Sequence, residues 1–370
     1  MAADLVAERD QPPDPVSAMD GYAIVESDAR QGAVLEVIGE APAGRPFEGS
    51  MGAGTTIRIA TGGVVPAGAS RVVVQEIVDR SDNRIQLQQA PGPATFVRPR
   101  GFDFTSGDTI ARTGDLLSPA RVGLAAAANV AAIDVRARPR VLILASGDEL
   151  REPGSTLGPG MIVNSAAYAL AELVEAWGGI ATRSPILADD RECCVNQIEQ
   201  ANIQDFDVVV LLGGASVGER DILRSVVEQL GAHILFDRIS VQPGKPCWHA
   251  RFTEGPLVLG LPGNPASAFV CAHLLLKPLM MALLDRRDPE RPFTAILSEP
   301  MPAGSSREVY WRATLKASEE GRLMVAPDPR LDSSLQTPLA SANALIRRPI
   351  GAQAAQAGDP VDVIPIGPLA

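Results

Sequence analysis

The chain has 370 residues, with 44 acidic against 33 basic side chains, a formal charge of −11 and a pI near 4.9. That balance excludes nucleic acid as the main partner, because a phosphate backbone needs a basic surface; a small anionic ligand held by local cations or a divalent metal is not excluded. With 46% hydrophobic and 21% charged residues, the composition is that of a soluble globular protein long enough for two or more domains.

The opening MAADLVAERDQPPD has no apolar core ahead of a cleavage site, so it is not a signal peptide. Residues 20–118 hold short β-prone runs at Ala33–Ile38, Thr56–Ile59, Arg71–Ile77 and Arg84–Leu87, which predict a small all-β domain. The alanine-rich Pro119–Ala132 reads as a helix with Pro119 in its first turn. From Arg140 the texture changes. VLILA at 141–145 ends in Ser146-Gly147-Asp148-Glu149, and helices are expected at about Ser165–Trp177, closed by Gly178-Gly179, and at about Asp190–Ala201. Strands alternating with helices predict a parallel, three-layer α/β domain ending near Leu284. The apolar stretch Ala266–Leu284 is broken by His273, Lys277 and Pro278 and reads as a buried helix, not a membrane span. Asp288–Arg291 reads as a charged hinge. After it, Phe293–Leu297, Val309–Ala313, Leu323–Ala326, Ala344–Pro349 and Val361–Pro365 predict a separate C-terminal β domain.

Cys193, Cys194, Cys247 and Cys271 form no C-x-x-C pair, and the three histidines lack ligand spacing. A structural zinc site is therefore not expected, and reduced thiols in a cytoplasmic protein are.

The densest signal lies between residues 205 and 268. Val208–Leu212 and Leu257–Leu261 are continuous apolar runs, the mark of strands buried on both faces, and each ends in a glycine- or proline-rich turn. Turns at the carboxyl ends of such strands are where open α/β sheets bind ligands. In GGASVGERD, Gly213 and Gly214 let the backbone turn sharply, and the amides from Ala215 to Gly218 can form a nest for phosphate oxygens; a tight connection is the plain alternative. Glu219-Arg220 stands where a P-loop requires Lys-Ser/Thr, so a Walker-type hydrolase is not indicated. In LPGNPASAF, Asn264 is placed to cap a helix with Pro265 at its first position, leaving an open, anion-binding terminus beside Ala266 and Ser267. Lys245, in a Pro-Gly-Lys-Pro turn, adds a cation on a stiff backbone. The carboxylate pairs Asp148/Glu149, Asp189/Asp190 and Glu219/Asp221 recur at successive strand ends and suit Mg²⁺ held among phosphate oxygens. Any one pair alone reads as a solvated loop.

Taken in order, SAMDGYA (17–23), ATGGVVPAGA (60–69), SGDEL (146–150), GGASVGERD (213–221), PGKP (243–246) and LPGNPASA (261–268) resemble the molybdopterin molybdenumtransferase family, of the bacterial MoeA type and similar to the gephyrin E domain. The resemblance implies a homodimer and a small β domain at 17–106. It further implies a linking and dimerising segment at 1–16 and 107–138, a molybdopterin-binding α/β domain at 139–287 and a C-terminal β-barrel domain at 288–370. The implied reaction inserts molybdate into adenylylated molybdopterin with Mg²⁺ and releases AMP. By motif, Asp20, Thr61 and Asp103 would line the cleft from the β domain, and Glu149, Asp189 and Asp221 would surround the metal. Lys245 would neutralise oxyanion charge. Gly213, Gly214, Ser216, Gly218, Gln242, Gly244, Pro262, Gly263, Asn264, Pro265 and Ser267 would contact substrate, with Arg312 and Ser333 reaching in from the last domain. Other cofactor-biosynthesis proteins or molybdoenzymes are possible partners.

Three departures from the family pattern shape the expectations. Gln242 stands where the family has a lysine, which predicts weakened anion binding in a desolvated cleft. Phe102-Asp103 replaces a Glu-Asp pair, removing one acidic group. SAMDGYA begins after sixteen residues, where a longer helical segment is usual, so a truncated or differently built dimerising segment is expected. An insertion enzyme is the first expectation; a non-catalytic molybdopterin carrier and a scaffold are the alternatives.

Overall fold

The computed structural model describes residues 1–213, 222–286 and 292–368. The chain folds as two compact units, Met1–Val135 and Arg136–Ala370.

In the first unit, short strands with polar turns form one six-stranded sheet in the order Arg71–Val74, Gly21–Ile24, Thr55–Ile59, Val34–Ala41, Arg84–Leu87, Val78–Ser81. Cores on both sides of this sheet hold, among others, Tyr22, Leu35 and Ile85 in one and Ala23, Ile57 and Val72 in the other. Two predicted elements end early. The expected run Arg71–Ile77 leaves the sheet at Val74 and closes in a 3₁₀ turn, Gln75–Ile77. The alanine-rich helix spans only Pro119–Ala127: the Ser118 hydroxyl accepts from the Arg121 amide and Pro119 opens it as expected, but Asn129 adopts φ +67° and turns the chain out. Leu5–Val6 pairs with Thr109–Ala111, so the first residues and the 107–135 stretch share a small core around Leu5, Ala111 and Ala125.

The second unit begins with the α/β sheet, ordered Ile180–Arg183, Arg140–Ala145, Val208–Leu212, Leu257–Leu261, Trp248–Arg251, His233–Phe236. The first four strands are parallel. Trp248–Arg251 pairs antiparallel with both its neighbours, which corrects the expectation of a parallel sheet at this edge: residues 237–247, between the two edge strands, hold the short strand Val241–Gln242 and no crossover helix. Alternation along the central strands divides two cores. Val141, Ile143, Val208 and Val210 face helix Ala166–Ala176 and the long helix after Asn264, while Leu142, Leu144, Val209 and Leu211 face helices Arg191–Gln200 and Ile222–Gln229. Burial on both faces is why these runs read as continuously apolar.

The helical stretch Pro265–Leu283 is long and apolar enough to cross a membrane by length and composition, yet much of it is buried in the protein core. It is not uniform: Ala272–Leu276 opens into a π turn before Lys277–Leu283. Pro278 has no amide to give and its ring crowds the preceding turn, so the wider turn is how the helix continues through it.

The C-terminal sheet runs Val241–Gln242, Glu308–Ala317, Leu323–Pro327, Phe293–Leu297, Pro360–Pro365, Ala344–Arg348 and closes on itself, because Ala344–Arg348 also pairs with Glu308–Ala317. Its first strand lies outside the expected 288–370 range: Gln242 pairs in register with Val309. The predicted hinge Asp288–Arg291 lies outside the described residues.

A β-carbon on Gly260 would stand 2.0 Å from the ring of Trp248, which is 1% exposed. Gly260→Ala is expected to lower stability by about 2 kcal/mol or more through overpacking. The check is a lower urea midpoint with an unchanged denaturant slope.

Candidate functional site

Strand Arg140–Ala145 is the switch point of the α/β sheet, with neighbours to either side that follow it in the chain. Such points leave a crevice beyond the strand ends. Here the crevice is a cleft of about 1290 Å³. Its floor is tight backbone. Gly213, at φ +95°, has room only because it lacks a β-carbon, which would meet the Ser146 carbonyl oxygen at 2.5 Å; Gly263 lies against Gly213 in turn.

The acidic side of the cleft is internally bonded. The Ser146 hydroxyl donates to Asp189 Oδ1 at 2.6 Å, and the Asp189 amide donates to Asp148 Oδ1 at 3.1 Å. The Glu149 carboxylate folds over Gly147, within 2.9 Å of where a β-carbon would be. Lys245, Arg224 and Arg238 supply the positive charge, and Asp237 joins them. A hydrogen bond from Arg238 holds the Asp237 carboxyl below the usual carboxylate range.

Mg²⁺ needs several oxygen ligands around one point. Among the described residues no group of three or more His, Cys, Asp or Glu side chains is arranged to hold a metal ion. Asp189 is already committed to Ser146, and Asp221 lies outside the described residues together with Gly214, Ser216 and Gly218. The described side chains therefore do not by themselves compose the expected metal site.

The helix terminus that the sequence favours is closed. Asn264 occupies the cap position without a side-chain capping bond; its amide instead donates to the Ser333 hydroxyl at 2.9 Å. The Ser333 carbonyl oxygen accepts the Ala266 amide at 3.1 Å, Pro265 has no amide, and Ser267 is buried. A different helix is open. Ala166–Ala176 begins at the cleft with no side-chain cap and no acidic residue in its first turn, and the Ser165 hydroxyl there has no partner. Uncapped first-turn amides and the helix dipole favour an anion at that end. Sequence reasoning missed Asn164, Ser165, Arg224 and Arg238. The sequence already predicts a helix starting near Ser165, and its place as the next helix after the SGDEL turn is the signal that could have pointed to the site.

The remaining expected residues divide. Lys245, Pro262, Gly263, Asn264 and Pro265 line the cleft. Gln242 does not; with Arg312 and Ser333 it borders a separate cavity of only about 20 Å³, because the strand Val241–Gln242 belongs to the barrel sheet. Gln242 Oε1 accepts from Arg307 at 3.2 Å. Gly244 is packing, since a β-carbon there would meet Cys271 Sγ at 2.2 Å. In the first unit Asp20 and Thr61 do meet: the Thr61 amide and hydroxyl donate to Asp20 Oδ1 at 2.6 and 2.9 Å, and these bonds hold the Asp20 carboxyl below its ordinary range. Asp103 sits on an exposed turn whose amide donates to the Gln11 carbonyl at 2.9 Å.

Comparison with known proteins bears on the family and the fold. Residues 1–129 match the MoeA N-terminal region (domains I and II), 142–282 a probable molybdopterin binding domain, and 294–366 the MoeA C-terminal region (domain IV). A molybdopterin molybdenumtransferase of Haemophilus influenzae is 30% identical over 330 residues, 88% of this chain and 80% of the relative. The chain belongs to the MoeA family. A Nostoc molybdopterin molybdenumtransferase is 34% identical over 274 residues, a match spanning 72% of this chain and 63% of that relative. The structure of the MoeA protein of Pyrococcus horikoshii superposes with a TM-score of 0.81 at 28% identity, covering 99% of this chain and 91% of that one. Membership places the chain among transferases of molybdenum cofactor biosynthesis, and the MoeA fold accounts for the α/β domain and the closed C-terminal barrel.

Thr61→Val removes one of the two donors to Asp20, and carboxyl titration by NMR is expected to show the Asp20 pKa rising toward its ordinary value. The sign for stability follows from the depressed folded value: the pair contributes above the unfolded carboxylate pKa, and that contribution is lost as pH falls through the folded one.

Proposed function

We propose that the cleft of this MoeA-family chain binds adenylylated molybdopterin, and that molybdate is inserted there with release of AMP. The observation carrying the reading is that Lys245 and the uncapped terminus of helix Ala166–Ala176 face one cleft at the sheet's switch point. A phosphate-bearing ligand suits that pair: the ammonium supplies a point charge, and the helix start supplies amides and a hydroxyl. Breaking the adenylyl bond builds negative charge on the departing phosphate. Lys245 and Arg238, which both line the cleft, offset that charge, and prepositioned donors do so without reorganising. Glu149 and Asp189 orient the ligand from the acidic side. Mg²⁺, when bound by the ligand phosphates, would supply further charge neutralisation, with Asp221 the outstanding carboxylate. Asp20, Thr61 and Asp103, a homodimer, a cytoplasmic setting and the division at 17–106, 139–287 and 288–370 belong to the same proposal.

The carrier alternative rested on the short N-terminus and on Gln242 as a missing cleft cation. Gln242 is instead a partner of Arg307 outside the cleft, which removes the second of these supports.

The test is incubation with adenylylated molybdopterin, molybdate and Mg²⁺ while AMP release is followed. Lys245→Met is expected to lower kcat/KM about 100-fold, the range for one donor aimed at developing charge; release at the wild-type rate would remove Lys245 from the mechanism. Gln242→Lys sets a second cation against Arg307. It should cost about 1 kcal/mol through the lost hydrogen bond and like-charge repulsion, seen as a lower melting temperature.

A further inference from the structure

The barrel stretch from Arg330 to Gln336 has no regular secondary structure, yet it performs two tasks at the cleft. Ser333 closes the start of helix Pro265–Cys271, and Ser334 and Gln336 form part of the cleft wall. Something must hold this irregular backbone in place. Arg312, on strand Glu308–Ala317, is 4% exposed. Its Nη1 donates to the Leu335 carbonyl at 3.0 Å, and its Nη2 donates to the carbonyls of Asp332, at 3.1 Å, and Arg330. Its own carbonyl accepts the Asp328 amide at 2.8 Å. Among the described residues, no side-chain carboxylate takes a hydrogen bond from this guanidinium, and Arg312 does not line the cleft. The cavity it does border, about 20 Å³, has room for about one water.

We propose that Arg312 is a positioning residue: by clamping the carbonyls of Arg330, Asp332 and Leu335 it holds Ser333 across the helix start and sets Ser334 and Gln336 in the cleft wall, without touching the ligand. This replaces the role suggested by family resemblance, in which Arg312 itself reaches the ligand. It rests on the proposed function only in taking the cleft as the ligand site. The fork explains the residue type. A planar guanidinium can serve three carbonyls spread over six residues, whereas the single nitrogen of lysine cannot reach all of them.

The test uses the full-length chain, Arg312→Lys and Arg312→Gln, with hydrogen exchange and AMP titration as the two measurements. Exchange in the 328–336 peptide is expected to rise about tenfold in both variants, the size of losing hydrogen bonds to a charged group, while strand Ala344–Arg348 stays protected. AMP affinity should fall about fivefold or more in both variants, equally across a salt series, because geometry and not charge has been lost. Unchanged exchange at 328–336 overturns the proposal. So does wild-type affinity in Arg312→Lys with loss only in Arg312→Gln, which would make Arg312 a ligand-facing charge. Failure of both variants to fold would assign it to the barrel core and likewise overturn the proposal. If the wild type binds no AMP, the proposed function is refuted while the exchange measurement still decides the clamp.

Discussion

Three parallel strands sealed on both faces govern the α/β part of this molecule. Arg140–Ala145, Val208–Leu212 and Leu257–Leu261 offer their sides only to apolar neighbours, so any polar group they deliver must come after the last buried residue. That is why Ser146, Gly213 and Pro262 are each the first residue past a strand, and why all three meet at one cleft. Burying unpaired polar groups costs several kcal/mol, which leaves few other places to build such a site.

The cleft is a balance of opposed charges. Its carboxylates are restrained by one another's backbone and by Ser146, so they form a preset wall and are not a loose acidic cluster. The cations come from separate turns and from helix Ile222–Gln229.

Much of this was legible in the sequence because the relevant signals are short-range. Apolar runs, the helix beginning near Asp190 and the Gly178 turn depend on neighbours within a few residues. What was not legible depended on distant partners. Asn264 has the residue type of a helix cap, but Ser333, 69 residues away, takes its amide. Gln242 sits three residues before Lys245, yet its strand is enlisted by the barrel while Lys245 stays with the cleft. Arg312 matched a ligand-reaching position by motif, but the carbonyls that occupy it come from an irregular stretch with no pattern to read. Motif likeness identified residues near the site; only tertiary contacts told a wall from its support.

The glycine beneath Lys245 carries a last consequence. The space a β-carbon would take at Gly244 is filled by the thiol of Cys271, with Cys247 close behind, so the turn rests on a fully packed sulfur floor. Its backbone has nowhere to retreat. On the proposed reading, adjustment to ligands of different size would come from the lysine's own flexible arm, with the turn an anchor post and the side chain a tether of fixed reach. Anions would then be sorted by how deeply they enter the cleft, and not by any yielding of the loop.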